Sequence, residues 1–183
     1  MENISSDIIL PQQVHGTKIV EILTGGEDLS QCDGIWTRDF SKILGIKTAD
    51  CAPIAFWEDD RFGILHAGWR GLCDGIIEKM LENFKNPNVF VGPLLPKFQI
   101  QKDFCYEKIL EKFGEEFLIG IEEEEIIIFD FKSALYQTIQ GAANVEFDER
   151  STFNDLDLAS WRRDRDERRN VTVIGKDFKK NID

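Results

Sequence analysis

The sequence predicts a mixed α/β or α+β domain. Runs with the two-residue period of strands alternate along the chain with runs of helical spacing. Two bulk properties agree. The 183 residues suit one ordinary domain, read as spanning 1–183, that buries roughly 70% of the surface of its unfolded chain. Hydrophobic residues at 42% and charged residues at 31% describe a globular chain and not a disordered one.

The elements follow in order. Residues 18–23 (KIVEIL) read as a half-buried strand ended by Gly25-Gly26. Residues 43–47 and 53–57 read as strands on either side of Ala49-Asp50-Cys51, and 61–65 as a strand running straight into His66. Ile76, Ile77, Met80, Leu81 and Phe84 have the spacing of a one-faced helix over 72–84, which puts Gly68 and Gly71 in a strand-to-helix turn. A second amphipathic helix covers 104–117, with Ile109, Leu110, Phe113 and Phe117 as its apolar set. The acidic run 122–125 reads as a solvated loop or edge, and 125–131 (EIIIFDF) as the most buried strand. Residues 132–140 read as a third helix, and 145–147 and 171–174 as short strands.

Charge and composition exclude several functions. A net charge of −12 argues against nucleic acid and against an anionic membrane surface, both of which need a basic patch. A small anionic ligand stays open if arginines line its site. The opening MENISSDIILPQQ has no basic region, and its apolar run is three residues long, too short for a signal peptide. No stretch approaches the roughly 20 apolar residues of a membrane helix. Four scattered cysteines without a CxxC pair fit a reduced, cytoplasmic protein.

The residues that carry chemistry are few. The chain has two histidines, in Gln13-Val14-His15-Gly16 and in His66-Ala67-Gly68-Trp69-Arg70-Gly71. Cys51 lies between them in Thr48-Ala49-Asp50-Cys51-Ala52-Pro53. Two imidazoles and a thiolate are donors that Zn²⁺ prefers, and three protein ligands leave a position for water or substrate. The plainer reading is that isolated histidines near strands are satisfied core or surface residues and that a lone cysteine is packing. A third reading uses Cys51 as a nucleophile and His66 as its general base, oriented by Asp50 or a backbone carbonyl. Spacing alone leaves all three open.

Arginines offer substrate contacts. Gly68 to Gly71 before a helix can turn tightly, and Arg70 there can contact a phosphate or carboxylate at the helix start. The plainer reading leaves Arg70 in solvent and Trp69 in the core. From Arg162 to Arg169 there are five Arg against two Asp and one Glu, so one or two of them, such as Arg162 or Arg163, can turn inward toward an anion. Cys73 and Cys105 read as packing.

Taken in order, QVHG, DGIWT (33–37), ADC-x-P and HAGWRG resemble the laccase-domain family, also called polyphenol oxidase-like, YfiH-like or peptidoglycan-editing-factor-like purine nucleoside phosphorylases. Further matches are Gly92-Pro93, Cys105-Tyr106-Glu107 and Ser160-Trp161-Arg162-Arg163-Asp164, so the resemblance covers roughly residues 12 to 175. It implies packed mixed β-sheets flanked by helices, a CNF/YfiH-like α+β fold with some likeness to cysteine hydrolases. It implies metal ligands at His15, Cys51 and His66, with zinc as the ion and copper as the alternative. It also implies phosphorolysis of adenosine, inosine and methylthioadenosine, adenosine deamination, and a link to peptidoglycan precursor editing.

Three departures accompany the resemblance. Only twelve residues precede QVHG, where family members carry a longer segment with a Gly-Gly-Val-Ser-type motif. A Cys-Thr pair of the family stands here as Ser151-Thr152, and the stretch from Gly92-Pro93 to Cys105 is altered. The resulting expectation is a zinc-dependent enzyme acting on a purine nucleoside and phosphate, with His15, Cys51, His66 and Asp50 at its centre. Its rivals are a cysteine amidase built on Cys51 and His66, and a non-catalytic, zinc-stabilised partner protein. The sequence does not specify an oligomeric state.

Overall fold

A computed structural model describes residues 8–121 and 126–176. The first half holds β1 (Ile8–Ile9), β2 (Ile19–Glu21), β3 (Gly34–Thr37), β4 (Ile43–Thr48), β5 (Ala52–Trp57) and β6 (Phe62–Ala67), then α1 (Trp69–Cys73) and α2 (Ile76–Leu81). There follow β7 (Asn88–Val91), β8 (Lys97–Ile100), α3 (Phe104–Phe113), β9 (Leu118–Ile121), β10 (Ile126–Asp130) and α4 (Phe131–Ile139). The chain continues through β11 (Asn144–Phe147), α5 (Trp161–Asp164) and β12 (Asn170–Ile174).

A six-stranded mixed sheet in the order β11-β7-β5-β6-β3-β2 is the backbone of the fold. Its central strands are antiparallel, and its two outer pairs, β2–β3 and β11–β7, are parallel. Both faces are covered. Ile54, Phe56, Leu65, Val89 and Val91 pack against Leu72, Ile76, Ile77, Met80, Leu135 and Ile139 of the helices. Ile35, Ala55, Phe62 and Ile64 meet Leu44, Ile46 and Ile174 of a second sheet, β1-β4-β12. Burial on both sides explains why β5 and β6 read as nearly continuous apolar runs and not as alternating ones. A third, antiparallel sheet, β8-β10-β9, extends the helical side. The expected α+β class, with packed sheets and flanking helices, is what the chain adopts. Among the described residues no helix is long and apolar enough to cross a membrane.

The structure corrects several element boundaries. The helix expected over 72–84 is two short helices, because Gly75 between them sits at φ 85° and turns the chain in the left-handed region. The apolar face survives the break: Leu72, Ile76, Ile77 and Met80 are all buried. The helix expected over 104–117 stops at Phe113, and Phe117 instead anchors the loop into β9 as a buried side chain. The strand expected to be the most buried, β10, buries only Phe129 fully, since its small sheet is covered on one face. Strands β3, β7, β8 and β9 and helix α5 are too short or too mixed to show a period. The acidic run 122–125 lies outside the described residues.

Gly75→Ala forces a Cβ into the left-handed region and is expected to lower stability by about 1–2 kcal/mol in a urea titration. A gain in stability would mean that residues 69–81 run better as one helix.

Candidate metal centre

Three strand ends deliver the three donors. His66 is the penultimate residue of β6, at the buried end of the central sheet, and is 3% exposed. Cys51 directly precedes β5, which pairs with β6 so that Pro53 faces His66. His15 lies in the loop before β2, at the other edge of the sheet, and is exposed. The donor atoms of His15, Cys51 and His66 all lie within 4.8 Å of one another, and the two imidazole rings meet edge to face with centroids 4.7 Å apart.

One residue that the sequence reading passed over holds this arrangement together. Asp33, fully buried just before β3, accepts from His66 Nδ1 at 2.8 Å and from the His15 amide at 2.9 Å through one oxygen. Its other oxygen accepts from the amides of Val14 at 3.1 Å and Gly16 at 2.8 Å. The carboxylate thus wraps the QVHG loop and holds His15 at φ 61°, a left-handed conformation in which histidine is uncommon. It also takes the Nδ1 side of His66, which leaves Nε2 for the shared point. A signal existed in the sequence: an aspartate leading directly into the apolar run GIW must be buried, and buried carboxylates need partners. Gln13 adds a second tether, exchanging hydrogen bonds of 2.7 and 2.8 Å with the backbone of Lys47.

Gly68 explains itself sterically. A Cβ there would stand 3.0 Å from His15 Cδ2 and 3.2 Å from Cys51 Sγ, so any side chain would press into the donors. The glycine makes room for the cluster. It does not open an anion site, because α1 has only five residues.

The electrostatics pair a thiolate with a protonated imidazole, so a metal ion binding here displaces a proton from His66. Burial pushes the Cys51 thiol up, but hydrogen bonds and positive charge from His15 and His66 outweigh it and bring the thiol down to about 6. Burial disfavours charge on His66, but Asp33 and Cys51 together raise it to about 9. Cys73 and Cys105 behave oppositely, pushed by burial to about 12 and about 11. Two imidazoles and one sulfur form the donor set expected for zinc or copper. An ion with bonds of about 2.0–2.3 Å spans donor pairs roughly 3.3–3.8 Å apart, so donors within 4.8 Å of one another need to close by on the order of 1 Å around it.

The donors open into a cavity of about 560 Å³, within the usual range for small-molecule sites. Its walls combine Trp69, Phe98, Phe131 and Trp161 with the cations Lys47, Arg162 and Arg169. Arg162 lies over the Phe98 ring at 4.6 Å and donates to the Gln99 carbonyl at 3.1 Å. Two expected arginines are elsewhere. Arg70 is exposed and lies over the outer side of Trp69, 5.2 Å from the ring centroid, and does not line the cavity. Arg163 spends its guanidinium on Asp164 and on the carbonyls of Thr152, Phe153, Asp155 and Leu158, where it holds a loop. Arg169 belongs to the run from which one or two arginines are expected to turn inward, and it lines the cavity with Arg162; Lys47 carries no such signal in the sequence.

Asp50, for which orienting a ligand, shuttling a proton and a structural turn role are all expectations of the sequence, braces its turn. One oxygen accepts from Thr152 Oγ1 at 2.7 Å and the other from the Arg162 amide at 2.7 Å, so the carboxylate braces the Cys51 turn against α5. It lines the cavity but bonds to none of the three donors. Thr152, second of the Ser151-Thr152 pair, supplies the hydroxyl for this brace.

The chain is similar to several known proteins. The family model described as multi-copper polyphenol oxidoreductase laccase matches residues 1–177. A purine nucleoside phosphorylase of Aquifex aeolicus is 30% identical over 170 residues, covering 91% of this chain and 82% of its own length. One of Haemophilus influenzae is 29% identical over 180 residues, covering 88% of this chain and 71% of its own. Among solved structures, the Bacillus licheniformis hypothetical protein YfiH superposes with a TM-score of 0.82 at 23% identity, over 92% of this chain and 74% of that one. YlmD from Geobacillus stearothermophilus gives 0.79 at 23% identity, over 92% and 73%. These two structures show the same fold.

Two measurements probe the centre. Asp33→Asn replaces an acceptor oxygen by an amide that opposes the loop N–H groups, and is expected to weaken divalent-metal affinity by about 10–100-fold in chelator competition. Unchanged affinity would deny Asp33 its orienting role. In metal-free protein at pH 7, iodoacetamide is expected to label Cys51 at least about tenfold faster than Cys73 or Cys105, because only Cys51 is largely thiolate. Peptide mass spectrometry reads the rates, and equal labelling would contradict the lowered thiol.

Proposed function

We infer a function from one premise: this chain belongs to the multi-copper polyphenol oxidoreductase laccase family. We propose that it is a zinc-dependent purine nucleoside phosphorylase acting on adenosine, inosine and methylthioadenosine, with adenosine deamination at the same site. The observation that carries the reading is the meeting of His15, Cys51 and His66 at one end of a cavity walled by aromatic rings and cations. The names of the relatives support the substrate class. The four cysteines are all free, which supports a reducing, cytoplasmic setting.

His15, Cys51 and His66 would hold the ion. When bound, zinc supplies a Lewis acid that polarises a substrate oxygen or activates water, and copper is the alternative. The chain's own residues do the rest. Trp69, Phe98 and Trp161 offer faces on which a purine stacks. Lys47 and Arg169 supply charge for phosphate, a need made greater by the overall charge of −12. Arg162, held flat on Phe98, fixes the substrate. In phosphorolysis a phosphate oxygen bonds to ribose C1′ as the C1′–N9 bond breaks, and the electron pair and a proton go to the departing base. Asp50 acts through position, keeping the Cys51 turn and the Arg162 amide together.

A second reading rests on the Cys51 thiol at about 6 beside His66. In it Cys51 attacks an amide of a peptidoglycan precursor in metal-free protein, with His66 as the acid that protonates the leaving amine. One experiment separates the readings. Zinc-loaded protein is expected to release base from inosine only with phosphate present, and His66→Ala is expected to lose bound zinc and at least about 100-fold in rate. Full turnover after zinc removal would exclude the metal mechanism. Zinc-dependent folding without turnover of any nucleoside would leave a stabilised binding protein.

A further inference from the structure

A second chamber of about 470 Å³ adjoins the metal cavity, and the two share Trp69, Phe98 and Arg162 as a common wall. Beyond that wall the lining turns polar, with Gln99, Gln101 and Asp103. Two opposite charges line this open space, the Arg162 guanidinium and the exposed Asp103 carboxylate. The Arg162 guanidinium makes one hydrogen bond among the described residues, from Nη1 to the Gln99 carbonyl. Asp103 accepts from the Cys105 amide through Oδ1, as the cap of α3. No ion pair joins either group to another described residue, or the two to each other.

A space lined by a cation and an anion that form no ion pair with each other suits a ligand group that carries both signs. An anion alone would face Asp103, and a cation alone would face Arg162. An α-amino acid satisfies both, its carboxylate on the guanidinium fork and its ammonium on Asp103, with the two glutamines able to take remaining hydrogen bonds. The shared wall places such a group at the far end of a molecule whose reacting part lies near His15, Cys51 and His66. We propose that the second chamber is a substrate subsite for a zwitterionic amino-acid tail, and that the preferred substrate is a purine nucleoside bearing that tail at its 5′ position. This rests on the nucleoside reading above and names the substrate more narrowly. The tail takes no part in bond breaking. It adds binding remote from C1′, which raises kcat/KM.

The test compares S-adenosylhomocysteine, methylthioadenosine and adenosine as probes in phosphate-dependent base release by zinc-loaded protein. The tailed nucleoside is expected to exceed both others in kcat/KM by about tenfold or more. Asp103→Asn keeps the helix cap, since asparagine caps as well as aspartate, and is expected to bring the tailed-to-methylthio ratio near one. A ratio at or below one in the wild type, or an undiminished ratio in the variant, overturns the subsite. If no nucleoside releases base, the nucleoside reading fails on its own. Calorimetric binding of S-adenosylhomocysteine and adenosine to both proteins then decides the subsite, which stands only if the tail strengthens binding and Asp103→Asn removes the gain.

Discussion

A single buried carboxylate underlies the centre. Asp33 has no access to water and must find hydrogen bonds within the fold, and it finds four: three loop amides and the Nδ1 side of His66. Leaving such a group unpaired would cost several kcal/mol by order of magnitude, so the QVHG loop and the end of β6 are drawn to the same place. Burial disfavours its charge, yet the His66 contact and the loop amides hold it below the usual carboxylate range. The resulting negative charge stands behind the His66 ring and fixes its Nδ1 side, which turns Nε2 toward the other two donors. His15, which comes from a loop at the sheet's edge, owes its placement to this anchor more than to packing of its own.

Much of the fold was legible because its physics is local. Strands β4, β5 and β6 are bounded by turns and rich in branched and aromatic residues, and helix α4 shows its apolar face over more than two turns. What escaped was set by single residues or by distant partners. The break at Gly75 depends on one dihedral angle inside a run whose periodicity stays helical throughout. Strand β10 is apolar in composition, but its exposure is decided by what lies across its second face, which no local window contains.

The centre divides in the same way. The donors announced themselves by chemistry: two histidines in the whole chain, each in a dense motif, leave few choices. The arginines did not, because a guanidinium reaches far and its direction depends on acceptors distant in sequence. Arg163 turned to four loop carbonyls, Arg70 lay over Trp69, and of these three only Arg162 lines the cavity, beside Arg169 of the same run. Asp50 was correctly located but finds its partners in Thr152 and the Arg162 amide, more than one hundred residues away. Loop closures of that length leave no trace in neighbouring sequence.

The pairing of β5 with β6 has a consequence for how this chain can vary. Cys51 and His66 belong to the two arms of one hairpin, whose tip is the short bend where the Glu58 amide donates to the Arg61 carbonyl. Six residues of strand, about 20 Å, separate that tip from the donors. Side chains alternate between faces at every step, so adding or deleting one residue at the tip would slide one arm by a position and swing His66 to the opposite side. The length of a remote bend is therefore as binding on the chemistry as the identity of the ligands. Substitution there can be free while insertion is not.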